Sequence, residues 1–150
     1  MSPEVTRRNF SQDALTAALA GLAVSASGTA ALAETSAAGP PSARRPVIKQ
    51  ALPGEPEREL ILVEVSYPPG GASAPHMHAN GVMAFVLTGA ITSRIGDGPE
   101  QTFRAGEAWY EPPGSIHRVS RNASATETAS LLAIFLAPKG ASPDALTKPL

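Results

Sequence analysis

His76, His78 and His117 are the only imidazoles in the chain, and their spacing is the first sign of chemistry. His76-Met77-His78 puts two rings two residues apart. On an extended strand such residues share a face, so both rings can be presented to one point. Imidazole is a ligand for zinc, copper, iron and nickel alike. A third ring from a neighbouring strand, His117, would close one face of a coordination sphere and leave positions open for water or substrate. Burying three imidazoles in one cavity without partners is unfavourable, which also argues for one divalent metal ion held among them. The chain has no cysteine. It can form neither a disulfide nor a thiolate site, and any metal must rest on nitrogen and oxygen.

Around these rings, Glu111 is the carboxylate best placed to complete a site or to act as acid or base, since it ends a strand just before Pro112. Its plainer use is as a solvated strand-end charge. Tyr67, Trp109 and Tyr110 can line a substrate cavity as an amphipathic wall, or serve in the core or at a subunit interface. Arg94 and Arg104 lie on expected strands and can clamp a substrate carboxylate. Left in solvent, they would guard a strand edge against aggregation.

The elements that must position these groups are short strands. The 15 prolines and 13 glycines favour strands and turns over helices. Strands are expected over residues 47–52, 60–67, 82–87, 90–95, 101–104, 108–111, 117–121 and 128–136. Turn signals separate them at Pro68-Pro69-Gly70-Gly71, Gly89, Gly96-Asp97-Gly98-Pro99, Ala105-Gly106-Glu107 and Pro112-Pro113-Gly114. Each histidine falls at a turn-to-strand junction. No helical period appears after Ala33 and no internal repeat is present, so the expectation is an all-β fold, a single sandwich or barrel for which the jelly roll is one solution.

The N-terminus reads as an address. Thr6-Arg7-Arg8-Asn9-Phe10 precedes a weakly apolar run rich in Ala, Gly, Ser and Thr over residues 14–31, and Ala31-Leu32-Ala33 supplies a small-residue exit. That is the plan of a cleaved signal peptide over residues 1–33, either flexible or helical, and the paired arginines resemble the twin-arginine signal. The expected product is periplasmic or secreted. It begins near Glu34, with a flexible linker over 34–46, a barrel over 47–137 and a tail over 138–150 with little to bury. A stable membrane span is not expected from so polar a segment. A net charge of −1 and a pI near 6.3 leave no basic surplus for nucleic acid. The expected partner is a small molecule.

Two stretches resemble the motifs of the cupin family. The first matches at Gly70, His76, His78 and Gly89; the second at Gly106, Pro112, Gly114 and His117, with Asn122 one position late. The likeness covers roughly residues 60–136 and implies a jelly-roll cupin barrel. The family's glutamate ligand would fall at Val82, beside Met83, and neither side chain has an oxygen. The resemblance is therefore to three-histidine cupins, some of which are non-haem iron dioxygenases. It implies a metal-dependent enzyme acting on a small oxygen-rich molecule, with iron preferred over manganese, zinc, nickel or copper. Isomerase or lyase chemistry is the other catalytic option, and a periplasmic metal or small-ligand binder without turnover is the rival. It also implies pairing of two copies as a homodimer. One fold hosts many chemistries, so no substrate follows.

Overall fold

The computed structural model describes residues 39–150; the export segment expected over residues 1–33 lies outside the described residues. Among the described residues no helix is long and apolar enough to cross a membrane.

Alternation of apolar and polar residues builds the larger sheet. In β2 (Glu55–Tyr67) the residues Ile61, Val63, Val65 and Tyr67 are buried, while those between them are partly or fully exposed. β10 (Ala129–Pro138) does the same with Leu131, Ala133, Phe135 and Ala137, and β5 (Val82–Thr88) with Val82, Ala84 and Val86. A period of two gives each strand one apolar face, and these faces stack inward as the core. With β1 (Ala43–Leu52) and β8 (Ala108–Glu111) they form a five-stranded sheet in the order β1-β2-β10-β5-β8.

The opposing six-stranded sheet runs β11-β4-β9-β6-β7, with β3 (Ala72–Ser73) also paired to β9. Its members are β4 (His76–Met77), β6 (Ala90–Ile95), β7 (Gln101–Arg104), β9 (Ile116–Asn122) and β11 (Lys148–Pro149). Two antiparallel sheets whose strands alternate between them along the chain make the jelly-roll barrel expected from the turn pattern.

Pinning of the turns is visible at Asn122. Its side-chain amide donates to the carbonyls of Pro68 and Glu127, and its Oδ1 accepts from the Ser124 amide. The motif residue that falls one position late therefore anchors the Pro68–Gly71 turn to the end of β9. Gly81, at φ 73, is a second fixed point, because a Cβ there would sit 2.9 Å from the Glu111 carbonyl oxygen.

Two segments are more ordered than their composition suggests. The lead-in was expected to stay irregular to residue 46, yet β1 starts at Ala43, because Ala43, Arg44 and Arg45 find ladder partners in Ser66, Val65 and Glu64. The tail, expected to bury little, forms a 3-10 turn at Pro143–Leu146, capped by Ser142, and then β11. Leu146 is buried in the core, and Lys148 and Pro149 pair with Met77 and His76.

Candidate functional site

β4 is short, and its place is set from both sides. His76 pairs with His117 of β9 on one flank and with Pro149 of β11 on the other. Cross-strand pairing brings residues distant in the chain within side-chain reach. The rings of His76 and His117 have centroids 5.0 Å apart, and those of His76 and His78 are 4.9 Å apart. The carbonyl of His78 accepts from the Gly114 amide, which ties the Pro112–Gly114 turn to the same place. All three rings line one cavity of about 450 Å³, within the range of small-molecule sites.

The tautomers of two rings are set by backbone. His76 donates Nδ1–H to the Ala74 carbonyl at 2.7 Å, and His78 donates Nδ1–H to the Leu146 carbonyl at 2.7 Å. A proton on Nδ1 leaves the lone pair on Nε2, the arrangement in which a second group orients an imidazole ligand. Burial pushes the His76 ring down to about 4, helped by the nearby rings of His117 and His78 and opposed by the Ala74 carbonyl. Burial lowers His78 as well, against the pull of the Leu146 carbonyl and of Glu111. Both are neutral at pH 7 and able to donate a lone pair.

His117 is bound differently. It is 3 % exposed, with Nδ1 3.1 Å from Glu111 Oε1 and Nε2 2.9 Å from the Ser93 hydroxyl. Nδ1 is directed at the carboxylate and Nε2 at the Ser93 hydroxyl, so both ring nitrogens are engaged. Ser93, His117 and Glu111 thus form a chain resembling that of a serine nucleophile. Ser93, however, is buried and does not line the cavity. Its role is to hold the ring.

Glu111 is 2 % exposed, far from the solvated strand end its position before proline allows. Oε1 accepts from Trp109 Nε1 at 3.0 Å and faces His117. Oε2 is buried without a hydrogen-bond partner and stands 4.0 Å from His78 Nε2. Burial raises the carboxyl, but the hydrogen bond from His117, the coulombic pull that His117 and His78 exert when protonated, and the Trp109 bond outweigh it and leave it below the ordinary value. An orphaned carboxylate oxygen at such depth is unfavourable unless something binds it.

The donor set suits a first-row divalent cation in type: two free imidazole Nε2 atoms and an unpartnered carboxylate oxygen. Bonds of about 2.1 Å to one ion place two ligands up to about 4 Å apart, the spacing of His78 and Glu111. As placed, among the described residues no three His, Asp or Glu side chains stand close enough to form a closed metal group.

The remaining expected site residues divide between the two faces. Tyr67 and Trp109 line the cavity, and Tyr67 Oη bonds the hydroxyls of Ser120 at 2.7 Å and Ser73 at 3.1 Å. Tyr110 points the other way, 55 % exposed on the outer face of β8. Arg94 pairs opposite Val119 on β9 and Arg104 is exposed at the end of β7; neither lines the cavity. The structure does not bring Tyr110, Arg94 or Arg104 to the site. It brings Arg44 instead, which reaches the mouth from β1 and donates to Thr147 Oγ1 at 3.1 Å. Neither Arg44 nor the Leu146 carbonyl carries a sequence signal, since one sits in a stretch of linker composition and the other is plain backbone.

Residues 63–135 match the family model described as Cupin_2, the cupin domain. No curated protein matches the chain. Among solved structures, an uncharacterized conserved protein with a double-stranded β-helix domain from Klebsiella pneumoniae aligns at a TM-score of 0.54 and 20% identity, over 67% of this chain and 80% of that one. KdgF from Halomonas sp. aligns at 0.52 and 19%, over 69% and 82%. The DMSP lyase DddQ from Ruegeria pomeroyi aligns at 0.54 and 19%, over 67% of this chain but only 49% of its own length. The fold is that of a cupin, a double-stranded β-helix, and the domain match with these neighbours supports the cupin superfamily.

Proposed function

We propose that the protein is a metal-dependent cupin enzyme acting on a small oxygen-rich molecule, with one divalent ion held by His76 and His78 and, once the Ser93 hydroxyl turns away from Nε2, by His117. The observation that carries this reading is the pair of backbone-fixed rings. His76 and His78 each lose the use of Nδ1 to a carbonyl and keep Nε2 for a ligand, inside a cavity large enough for a small substrate. When bound, such an ion supplies Lewis-acid polarisation of substrate oxygens and, if it is iron, a place for dioxygen.

The chain's own groups do the rest. Val63, Val65, Leu131 and Phe135 form an apolar wall that excludes water, while Tyr67, Ser73 and Ser120 face the cavity with hydroxyls able to orient substrate oxygens. Arg44 at the mouth favours an anionic substrate. A binder without turnover needs only the imidazoles; the additional hydroxyls and the buried carboxylate favour an enzyme. Oxygenation and lyase or isomerase chemistry both fit this cavity. The neighbour that is a DMSP lyase keeps the second in view.

A homodimer also fits. Ile48, Leu62, Ile134, Met83 and Tyr110 are successive ladder partners in one row across all five strands of the larger sheet, on its outer face. Ile48, Met83 and Tyr110 in this row are exposed, an apolar stripe suited to a second copy.

Elemental analysis of protein purified from its native compartment tests the metal reading. Near one equivalent of iron or manganese, lost in His76→Ala, is the expected result. No metal in either protein ends it.

A further inference from the structure

The cations of β1 differ in what faces them. Arg45 meets Glu64 and Lys49 meets Glu59, both acids of β2. Arg44 has Val65 across the ladder instead, and among the described residues it forms no ion pair. Its Nη1 donates to the Thr147 hydroxyl, a neutral acceptor. A guanidinium carries five N–H donors in a planar fork, so this bond leaves most of the fork unused. Arg44 and Thr147 both line the cavity, and both lie outside residues 63–135, the part that matches the cupin domain. What they add to the mouth comes from the segments flanking the shared barrel.

The lining limits what Arg44 can bind. Among the described residues it is the only lysine or arginine on the cavity wall, whereas Asp144 and Glu111 each bring a carboxylate there. A second negative charge on a ligand would meet these acids with no further side-chain cation of that kind to offset it. The wall beside Arg44 is aliphatic, since Val65 is its ladder partner and Leu131 follows in the same row. The hydroxyls of Ser42, Ser73, Tyr67 and Ser120 bond one another and make little demand on a ligand.

We infer that Arg44 is a specificity-determining residue that binds the carboxylate of a small monocarboxylic acid, whose apolar carbon skeleton lies against Val65 and Leu131. This deepens the reading of the cavity as a substrate site and rests on it, but the carboxylate contact itself needs no metal ion. A carboxylate can accept two parallel N–H bonds from the fork. Such charge-assisted bonds are stronger than the one Arg44 gives Thr147.

The test is a titration of hexanoate into purified, chelator-treated protein, followed by calorimetry and by the chemical shifts of backbone and arginine N–H groups. Adipate carries a second carboxylate on a chain of the same length, and 1-hexanol carries none. Wild type should bind hexanoate at least about tenfold more tightly than either, and Arg44→Gln should lose about tenfold or more in hexanoate affinity. Arg45→Gln removes the same charge from a residue that does not line the cavity. Thr147→Val keeps the guanidinium and drops its neutral partner. Both variants should bind hexanoate as wild type does.

Equal affinity for hexanoate and adipate overturns the inference, because one charge would then not be what the cavity selects. An equal loss in Arg45→Gln would reveal a general charge effect, and an equal loss in Thr147→Val would mean that Arg44 acts by holding the tail; either result also overturns it. A parallel cobalt(II) titration keeps the two readings apart. Wild type that takes cobalt but no hexanoate, loaded or metal-free, refutes the carboxylate site and leaves the metal reading standing. Wild type that takes hexanoate through Arg44 but no cobalt does the reverse.

Discussion

His78 donates its Nδ1 proton to the backbone carbonyl of Leu146, 2.7 Å away and 68 residues later in the chain. A ring in the cavity is thereby oriented by the tail, and the buried Leu146 side chain holds that tail in place. Leu146→Ala is expected to destabilise the protein by about 2–4 kcal/mol and to weaken metal binding through loss of the ring's orientation. Urea denaturation and a metal titration measure the two effects. A destabilised variant that binds metal as tightly as wild type would separate the tail from the site.

Stability of the metal-free protein should depend on pH through His76. Its ring titrates at about 4 when folded, against 6.5 for an unperturbed histidine. Between those values the unfolded chain binds a proton that the folded chain refuses, so stability is full above 6.5 and falls as pH drops toward 4. His78, shifted in the same direction, adds to the slope. Thermal unfolding of chelator-treated protein between pH 4 and 8 should show this decline, and His76→Gln should flatten it. An unchanged slope in the variant would mean that His76 is solvated.

Tyr67 ties two serine hydroxyls together at the cavity wall. Tyr67→Phe should lower stability by about 1 kcal/mol, a small loss for a buried residue because the ring packing survives. Its larger effect is expected on turnover or ligand affinity, since Ser73 and Ser120 lose a common partner. Equal unfolding midpoints for wild type and variant would show that these hydroxyl contacts exchange freely with water.

The apolar row on the outer face gives a prediction for assembly. Met83→Glu places a charge within it, between Ile134 and Tyr110, without touching the core, because Met83 is exposed. Light scattering after size-exclusion chromatography should report a dimer for wild type and a monomer for the variant. A wild-type monomer at high concentration would remove the proposed pairing.

Much of the barrel is legible in the sequence, because proline and glycine clusters delimit strands whose residues alternate. The strand expected at 90–95 is β6, those at 101–104 and 108–111 are β7 and β8, and the long run before Pro68-Pro69 ends at Tyr67 as read. Strand parity also contains information that a list of candidate residues leaves unused. Trp109 and Tyr110 are adjacent on one strand and cannot both face the cavity. Trp109 and Glu111 share parity, and both are buried. What the sequence could not reveal depends on long-range contacts: the Ser93 hydroxyl on His117, Arg44 at the mouth, and a backbone carbonyl at Leu146. Serine on a strand, arginine in a polar stretch and a peptide oxygen have no local pattern that singles them out.

Because residues 146–149 contribute both a strand beside His76 and the acceptor for His78, the imidazoles are set by chain that adds little to the barrel walls. A variant cut after Lys139 would keep the strand pairing among β1 to β10 and lose only that of β11, yet lack the clasp on its rings. Assembling the walls and readying the rings are therefore separable steps.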